Sequence, residues 1–337
     1  MEFKLHTTFP SELQAEWNNL LEQSITHVPF LRYEYLEAWW QTRGGGEWPQ
    51  SELAIISASR DGKLVGVAPF FQATNRDGQP SLLLLGSIEV SDYLDLIARP
   101  EDLDEFTAGL LAFAAGAALP VWKAIDLYNL FETSPSLAAL QKAAKGMGWS
   151  YRCEILQQAP YIPLPGDWET YLAGIDKKQR HEIRRKLRRA QEAEAEIEMR
   201  FAGDPDRLEA DIEGFMALMA QDPDKAAFLT PAMRKHMRLV MRCASENCCL
   251  QLSFLEVNGV KAAGYLSFDY LNRIWVYNSG IDQSFAEYSP GWVLLGYLLK
   301  WANEQKRTSF DFMRGNEEYK YRFGAVDRQV VRVVISR

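Results

Sequence analysis

Hydrophobic and polar positions along the first half of the chain predict two helices followed by a strand-turn-strand unit. Apolar residues recur at helical spacing in Leu13–Leu21 and Tyr33–Thr42. Two apolar runs, Leu53–Ser59 and Leu64–Phe71, flank Asp61-Gly62, a dipeptide typical of hairpin turns. Beyond them the pattern predicts strands and helices in this order: a strand at Leu82–Leu85, a helix at Leu103–Leu119, a strand at Ala124–Leu130, a helix at Ser136–Met147 and a strand at Trp149–Leu156.

The second half returns to a similar order after a proline-rich boundary at Pro160–Pro165. A long helical region is predicted at Trp168–Ala193, with an interruption near Gly174. The elements predicted after it are a strand at Ile197–Phe201, helices at Pro205–Ala220 and Pro231–Ala244, strands at Leu250–Val257 and Lys261–Tyr270 joined by Asn258-Gly259, a strand at Arg273–Asn278, a helix at Pro290–Lys306, and strands at Ser309–Met313 and Val330–Ile335.

The two halves share an order of five elements. In each, a hairpin with an Asx-Gly turn carries a glycine early in its second strand, at Gly66 and Gly264. A third strand and a helix follow, and then a strand with an aspartate between apolar residues, at Asp126 and Asp311. We therefore predict two copies of one α/β (α+β) fold, at 1–158 and 159–337; two unrelated α/β domains are the alternative. The length of 337 residues suits two domains of this size.

Composition is that of an ordinary globular protein, with 47% hydrophobic and 24% charged residues. The net charge is −8, but it is uneven, because 177–189 holds eight Lys/Arg against one Glu. The four cysteines and four histidines show no metal-ligand spacing, so no metal is expected. The first ten residues lack an apolar signal core. We expect a cytoplasmic protein with reduced thiols.

A set of motifs in the second half resembles the GNAT superfamily. They are Gly264 in the hairpin, Tyr277-Asn-Ser-Gly-Ile-Asp282, Ser289-Pro-Gly-Trp-Val-Leu-Leu-Gly296, Asp311-Phe-Met-Arg-Gly315 and Glu318-Tyr-Lys-Tyr-Arg-Phe-Gly324. Taken in order, they resemble the tandem-GNAT acyltransferases of the CelD-like group, relatives of the FemAB aminoacyltransferases. The basic segment 172–189 is similar to a helix that opens the second domain in that group, and Ser91-Asp92-Tyr93 with Asp95 resembles a motif of its first domain.

This resemblance implies two tandem GNAT-like domains. Each would be a mixed, mostly antiparallel sheet flanked by helices, with the ligand cleft at or near their interface. The second domain would be catalytic, and the first a degenerate wall that contributes Asp92, Tyr93 and Asp95 to substrate binding. Lys320 is implied as a contact to acceptor phosphates, with Arg322 beside it and Arg314 as a ligand clamp or a partner of Asp311. A solvated basic face is the alternative for Lys320 and Arg322.

The donor site expected by resemblance includes Gly264, Ser289, Gly291 and Trp292. Ordinary GNAT enzymes have a glycine-rich pyrophosphate loop, Gln/Arg-x-x-Gly-x-Gly/Ala, where this chain has Ser289-Pro290-Gly291-Trp292. Ser and Pro still suit a helix start, where free amides favour an anion. A capped core helix without ligand is the alternative, because Trp292 is bulky and glycines are missing.

For catalysis, amide-forming acyl transfer needs a group that takes a proton from the acceptor amine. Asp282 follows a predicted strand end, where ligand clefts lie in α/β sheets, and Tyr277 precedes it on that strand. We take both as catalytic candidates; a turn-capping aspartate and a core tyrosine are the alternatives. No nucleophile elbow or Ser-His-Asp order is present, so direct attack on the acyl group is expected.

The leading hypothesis is an N-acyltransferase that moves an acetyl or other acyl group from acyl-CoA to an amine, on an amino sugar or polysaccharide precursor. One alternative is an aminoacyl-tRNA-dependent, FemAB-like transferase acting on a peptidoglycan precursor. Another is a non-catalytic binding module with a degenerate donor loop. Expected partners are a small-molecule or saccharide acceptor, with or without phosphate, and no sequence-specific nucleic acid. The basic helix leaves peripheral membrane contact open.

Overall fold

The computed structural model describes residues 1–337, which form two compact units. The first unit comprises 1–158 and 328–337, and the second comprises 159–327. We predicted that the second domain would extend to residue 337. The last strand instead pairs along its length with two strands of the first unit. Its apolar alternation predicts a strand but does not specify which sheet receives it.

Residues 1–158 contain nine strands and four helices. They are β1 (Glu2–His6), α1 (Gln14–Glu22), α2 (Tyr33–Gly46), β2 (Glu52–Leu53), β3 (Ile55–Arg60), β4 (Lys63–Ala68), β5 (Phe70–Thr74), β6 (Pro80–Leu84), β7 (Ile97–Ala98), α3 (Leu103–Ala115), β8 (Ala124–Phe131), α4 (Pro135–Gly146) and β9 (Ser150–Gln158).

Residues 159–337 contain seven strands and seven helices. They are β10 (Tyr161–Pro163), α5 (Trp168–Gly174), α6 (Lys177–Gln191), β11 (Ile197–Phe201), α7 (Leu208–Met219), α8 (Pro223–Phe228), α9 (Pro231–Glu246), β12 (Leu250–Val257), β13 (Val260–Tyr270), β14 (Arg273–Ile281), α10 (Pro290–Glu304), β15 (Ser309–Asp311), α11 (Glu318–Arg322) and β16 (Gln329–Ser336).

Two sheets form the first unit. One has four strands in the order β1-β3-β4-β7, and the other has six in the order β2-β5-β6-β8-β16-β9. The predicted hairpin is confirmed, since β3 and β4 pair antiparallel around Asp61 and Gly62, both of which have positive φ. A single parallel pair, β6 with β8, runs from Ser81–Ala124 to Leu83–Asp126.

The second unit has one six-stranded sheet in the order β10-β15-β14-β13-β12-β11. All its pairs are antiparallel except β14 with β15, so the predicted mixed, mostly antiparallel sheet flanked by helices is confirmed. The turn at Asn258-Gly259 again has positive φ at both positions. The break predicted near Gly174 separates α5 from α6, and Asp176 caps α6 by accepting the backbone N–H groups of Lys178 and Gln179.

One helix of the second unit buries its apolar stripe against another. Ile183, Leu187 and Ala190 recur at helical spacing on α6 and are buried, while the other face carries the arginines. This stripe belongs to the same core cluster as Leu294 and Leu298 of α10. The packing holds α6 beside the start of α10. No helix of the structure combines the length and apolarity needed to cross a bilayer.

Candidate functional site

The sheet of the second unit splits where β14 extends beyond the end of β15. Their parallel pairing ends at Trp275–Asp311, but β14 continues to Ile281 and pairs with β13 alone. Tyr277 is the extra residue of a β-bulge, because Leu266 pairs with Asn278 and Ser267 with Val276. Bulges of this kind bend a strand and are frequent beside active sites. Residues 276–281 therefore have no strand partner on the β15 side, and we call this part of β14 the open edge.

A cavity of about 360 Å³ lies at this open edge. Four elements and the 3-10 helix Gln283–Tyr288 supply its walls. The lining residues are Tyr265, Ser279, Ile281, Gln283, Ala286, Ser289, Pro290, Gly291, Trp292, Leu295, Tyr319 and Phe323. Most of them are apolar or aromatic, and the polar atoms are concentrated at a few positions, as in sites that bind small molecules.

Two tyrosines place their hydroxyl groups at this cavity. The hydroxyls of Tyr265 on β13 and Tyr319 on α11 form a hydrogen bond in which either can be the donor. Burial raises the pKa of both phenols above the ordinary value near 10, and the nearby carboxylate of Glu317 adds to the effect. Both hydroxyls therefore stay protonated at neutral pH. When Tyr265 is the donor in this hydrogen bond, the proton of Tyr319 is available to a ligand.

A lysine from α6 reaches the start of α10 at the same cavity. The ammonium of Lys186 lies 3.2 Å from Oγ of Ser289 and 4.7 Å from the ring centroid of Trp292. Burial lowers its pKa, an effect that Glu182 partly opposes. The indole Nε1 of Trp292 is buried without a hydrogen-bond partner. This corner thus combines a half-buried cation, an unused N–H donor and a helix N-terminus.

The first turn of α10 differs from the capped start that we predicted. Ser289 adopts a left-handed conformation with φ of 52°, and its side chain caps no amide. Its carbonyl instead accepts the N–H groups of Trp292 and Val293, and Pro290 has no N–H. The expected cap is therefore wrong, and few backbone donors remain for an anion. Positive charge at this helix end comes mainly from Lys186.

A second, smaller cavity of about 230 Å³ adjoins β14 and shares Ser279, Ile281 and Gln283 with the first. Lys225 of α8 lies in its wall and donates a hydrogen bond to the carbonyl of Ser279. Burial lowers the pKa of this lysine. The open end of β14 therefore borders two cavities, so two substrates could meet along it.

Lys320, expected to bind an acceptor phosphate, is buried instead. Its ammonium donates to the carbonyls of Phe312, Arg314 and Gly315 and forms an ion pair with Glu317 at 2.8 Å. These four acceptors use all three N–H donors of a lysine. The expected anion contact is therefore wrong for this arrangement, because the lysine holds the 312–317 loop. Burial alone would raise the pKa of Glu317, but Lys320 and Lys225 bring it below the ordinary value.

The two arginines expected beside Lys320 are in different surroundings. Arg322 is exposed and forms an ion pair with Glu318 one helical turn earlier, at 2.7 Å. Such exposed pairs are readily replaced by solvent or ligand. Arg314 is half-buried, and its carbonyl accepts from Lys320. Asp311 is buried and accepts the backbone N–H of Met313.

Gly264 allows the approach of a helix rather than a ligand. A Cβ there would lie 3.1 Å from the ring of Phe215 on α7. Gly280, its partner across the β13–β14 pair, would meet the backbone of Leu218 at 2.5 Å. The expected donor contact at Gly264 is therefore wrong, because α7 covers this pair. Gly291 does line the larger cavity, and a Cβ there would lie 2.4 Å from Ile281.

The two catalytic candidates lie near opposite ends of the open edge, Tyr277 within β14 and Asp282 directly after it. Asp282 directly follows β14, and its Oδ1 accepts the backbone N–H of Ser284, as a turn-capping aspartate does. The second oxygen, Oδ2, is left for another proton donor. Tyr277 packs edge-on against Phe268 at 5.7 Å between ring centroids. Neither Tyr277 nor Asp282 is among the residues that line the two cavities, but Asp282 stands between Ile281 and Gln283, which line both.

The candidates from the first domain are structural or half-buried. Asp95 is fully buried and accepts hydrogen bonds from Thr26, Ser134 and the amide of Leu96, while burial raises its pKa. A side chain with no exposed surface cannot line a cleft, so its expected substrate contact is wrong. Tyr93 is also buried, and its hydroxyl accepts from Arg328 at 3.0 Å. Asp92 is half-buried.

Four residues at the two cavities were missed by sequence reasoning: Lys186, Lys225, Tyr265 and Tyr319. A signal for Lys186 was available, because it is three residues after Ile183 and adjoins Leu187 on the edge of the buried stripe. That position turns a lysine toward the protein. Nothing in the local pattern singles out the other three, because their hydroxyl and ammonium groups meet only through pairing of distant elements.

Comparison with protein families agrees with this geometry. Residues 177–321 match an acetyltransferase (GNAT) domain. That range includes β14, β15 and every residue that lines the two cavities except Phe323. A comparison with curated proteins found no significant match.

Solved structures share the fold across the chain at low sequence identity. A structure of FemX is 12% identical with a TM-score of 0.68, covering 99% of this chain and 97% of that one. The C-terminal domain of a putative lysylphosphatidylglycerol synthetase from Agrobacterium fabrum is 10% identical with a TM-score of 0.53, covering 96% and 91%.

A tandem GNAT protein from the clavulanic acid biosynthesis pathway is 14% identical with a TM-score of 0.50, covering 98% of this chain and 97% of that one. At such identities the likeness concerns the fold alone. Residues 177–321 thus match the GNAT acetyltransferase domain, and the chain as a whole has the fold of tandem GNAT proteins.

Proposed function

We propose that the second unit is an N-acyltransferase that moves an acyl group from acyl-CoA to an amine. The observation that carries this proposal is the open edge of β14, which borders a cavity with Lys186 at one side and the Tyr265–Tyr319 pair at another. An unpaired strand edge accepts an extended, amide-containing ligand arm by strand-like hydrogen bonds. The pantetheine arm of CoA has this character.

The proposed donor site fits an anionic, partly apolar ligand. Lys186 would contact the donor phosphates, and the indole N–H of Trp292 would supply a further hydrogen bond. The few free amides at the start of α10 make the lysine more important than in a glycine-rich loop. Ser289 and Gly291 shape the same corner.

The chemical step follows from groups at the open edge. The acceptor amine attacks the thioester carbonyl, a C–N bond forms, and the C–S bond breaks. Tyr319 would donate its proton to the departing sulfur, and Tyr265 would hold it in place through their hydrogen bond. Oδ2 of Asp282 would take the proton that the amine loses. The smaller cavity at Lys225 would receive the acceptor, for which a saccharide amine remains our expectation.

An aminoacyl-tRNA donor is the second candidate, and one feature favours it. A surface groove of about 450 Å³ on α6 is lined by Arg185, Arg188, Arg189 and Tyr288, together with Glu192 and Glu194. Arg188 and Arg189 are exposed, so they are available for phosphates. The fold likeness to FemX and to the synthetase domain is compatible with this reading.

Calorimetric titration with acetyl-CoA, CoA and aminoacyl-tRNA tests the proposal, combined with assay of amine acylation. We expect acetyl-CoA to bind and to raise the melting temperature by mass action. Tyr319→Phe should lower kcat by about 100-fold with little change in donor affinity, because only the proton donor is lost. Lys186→Met should instead weaken donor binding by roughly tenfold.

Tyr297→Phe is the matched control, since this tyrosine lines a different groove. Binding of aminoacyl-tRNA without binding of any CoA would replace the proposal by the second candidate. Binding without turnover would favour a non-catalytic module, and absence of binding by every donor would overturn the proposal.

A further inference from the structure

The outermost strand of the first unit has a free edge. β9 ends the order β2-β5-β6-β8-β16-β9 and pairs with β16 alone. It spans nine residues, longer than most strands. The backbone groups on its other side have no strand partner. Proteins usually protect such edges with short strands, proline or covering loops. Here no proline interrupts the strand and its central residues are exposed.

Apolar side chains are concentrated on this edge strand. Ile155 keeps 65% of its surface exposed and Leu156 keeps 36%. Both are among the few large hydrophobic residues of the chain that solvent reaches to this extent. Cys153 is also exposed. Because side chains alternate along a strand, Tyr151, Cys153 and Ile155 share one face, while Arg152 and Glu154 share the other.

The sequence of β9 is complementary to itself when two copies run antiparallel. A two-fold axis at Cys153 places Arg152 of each copy opposite Glu154 of the other, and Tyr151 opposite Ile155. Two opposite-charge pairs and two aromatic–aliphatic pairs result, and both kinds stabilise neighbouring strands. An axis at Arg152 or Glu154 would instead place like charges opposite each other. Only the axis at Cys153 places both charges of one strand opposite charges of the other sign, so the charge pattern favours this register.

The charged side chains of β9 are available to pair with a second copy. Arg152 is exposed and forms no ion pair within the chain. Glu154 uses Oε1 to bind Arg332 at 3.2 Å, which leaves Oε2 free. Arg332 is itself held by Asp126 and Asp77. Pairing with a second copy would extend this row of alternating charges by one arginine from each side.

We propose that β9 joins two copies of this chain into a symmetric dimer, with their six-stranded sheets continued across a two-fold axis at Cys153. Stable interfaces bury about 1,200 Å² or more, and one pair of strands alone falls short of that area. The dimer is therefore expected to be concentration-dependent. This inference does not depend on the proposed function, because none of its residues lies in the second unit.

Sedimentation velocity over a range of protein concentrations tests the dimer. The unmodified chain should shift from monomer to dimer as concentration rises. Arg152→Glu should weaken the dimer by tenfold or more, since it faces Glu154 of the other copy. The double variant Arg152→Glu, Glu154→Arg should restore most of the association, because the two charges exchange places.

Lys123→Glu is the control, an equal charge reversal at an exposed lysine of the same unit. Melting temperatures identify any variant that has lost its fold. Should the double variant fail to fold through loss of the Arg332 contact, Ile155→Lys provides an independent test. A monomer at every concentration would overturn the proposal, and so would a dimer that Arg152→Glu and Ile155→Lys both leave intact.

Chemical cross-linking tests the position of the axis. A short bismaleimide adds to two thiols and should join two copies through Cys153. Cys248 is also exposed and provides the comparison. We expect Cys153→Ser to abolish the cross-linked dimer and Cys248→Ser to leave it unchanged. The reverse result would place the interface elsewhere and overturn the proposed register.

Discussion

Each unit contains one parallel strand pair, and the two units differ in what lies beyond the end of that pair. In the first, β6 and β8 pair in parallel over three residues and end at Asp126; in the second, β14 and β15 pair in parallel over three residues and end at Asp311. The predicted correspondence between the two aspartates is therefore seen in the sheets. The two units differ in what occupies the space beyond these aspartates.

In the first unit, the chain itself fills that space. After β6, Val90, Tyr93 and Leu94 are buried. Asn129 of β8 donates to the carbonyls of Ile88 and Ser91 and accepts the amide of Leu94. The loop is thus bonded to the strand across the split. In the second unit β14 continues beyond β15, and a cavity lies beside this part of the strand. We call the first unit the sealed copy and the second unit the open copy.

The largest expected effect concerns the sealed copy. Asp126 is fully buried and receives two hydrogen bonds from Arg332. Arg332→Met would leave a buried carboxylate without its counter-ion, which costs about 3–5 kcal/mol. We expect a large fall in the unfolding free energy of the first unit, measured by chemical denaturation. Replacing Asp126 as well, by Asn, should recover part of the loss; no recovery would show that Arg332 acts mainly through other contacts.

A fall in pH should lower the unfolding free energy of the second unit. Burial lowers the pKa of His236, on α9 of the second unit, from 6.5 to about 4. Between pH 6.5 and about 4, His236 binds a proton in the unfolded chain but not in the folded unit. The unfolding free energy should therefore fall by up to about 3 kcal/mol over this window as pH decreases.

His236→Leu should flatten that slope in chemical denaturation at pH 7, 6, 5 and 4. The exposed His181→Leu is the control and should keep it. A slope that persists in His236→Leu would assign the acid response to other groups.

A bulky side chain placed in the larger cavity should fill the space that is open in the second unit. Ala286 lines the larger cavity and is exposed to it. Ala286→Trp would place a large ring where an acyl donor is proposed to lie, and we expect about 100-fold weaker donor binding by calorimetry, or about 2.7 kcal/mol. The neighbouring substitution Glu287→Trp is the control, because Glu287 does not line the cavity. Equal effects of both variants would argue against this cavity as the donor site.

Local sequence pattern determined the elements and the repeat. Apolar periodicity, Asx-Gly turns and the break near Gly174 each depend on residues a few positions apart, so the hairpins, α5, α6 and α10 could be predicted. The family resemblance added the fold and the importance of 289–292, where Gly291 and Trp292 do line the cavity.

Tertiary structure alone decided which unit receives β16, because strand pairing joins residues about 200 positions apart. It also decided that Lys320 is buried while Lys186 reaches the cavity. A sequence shows that a lysine is present, but its role depends on which acceptors the folded chain brings within hydrogen-bond distance. The same reason explains Gly264: the pattern indicates a close approach, and only packing shows that α7 makes it.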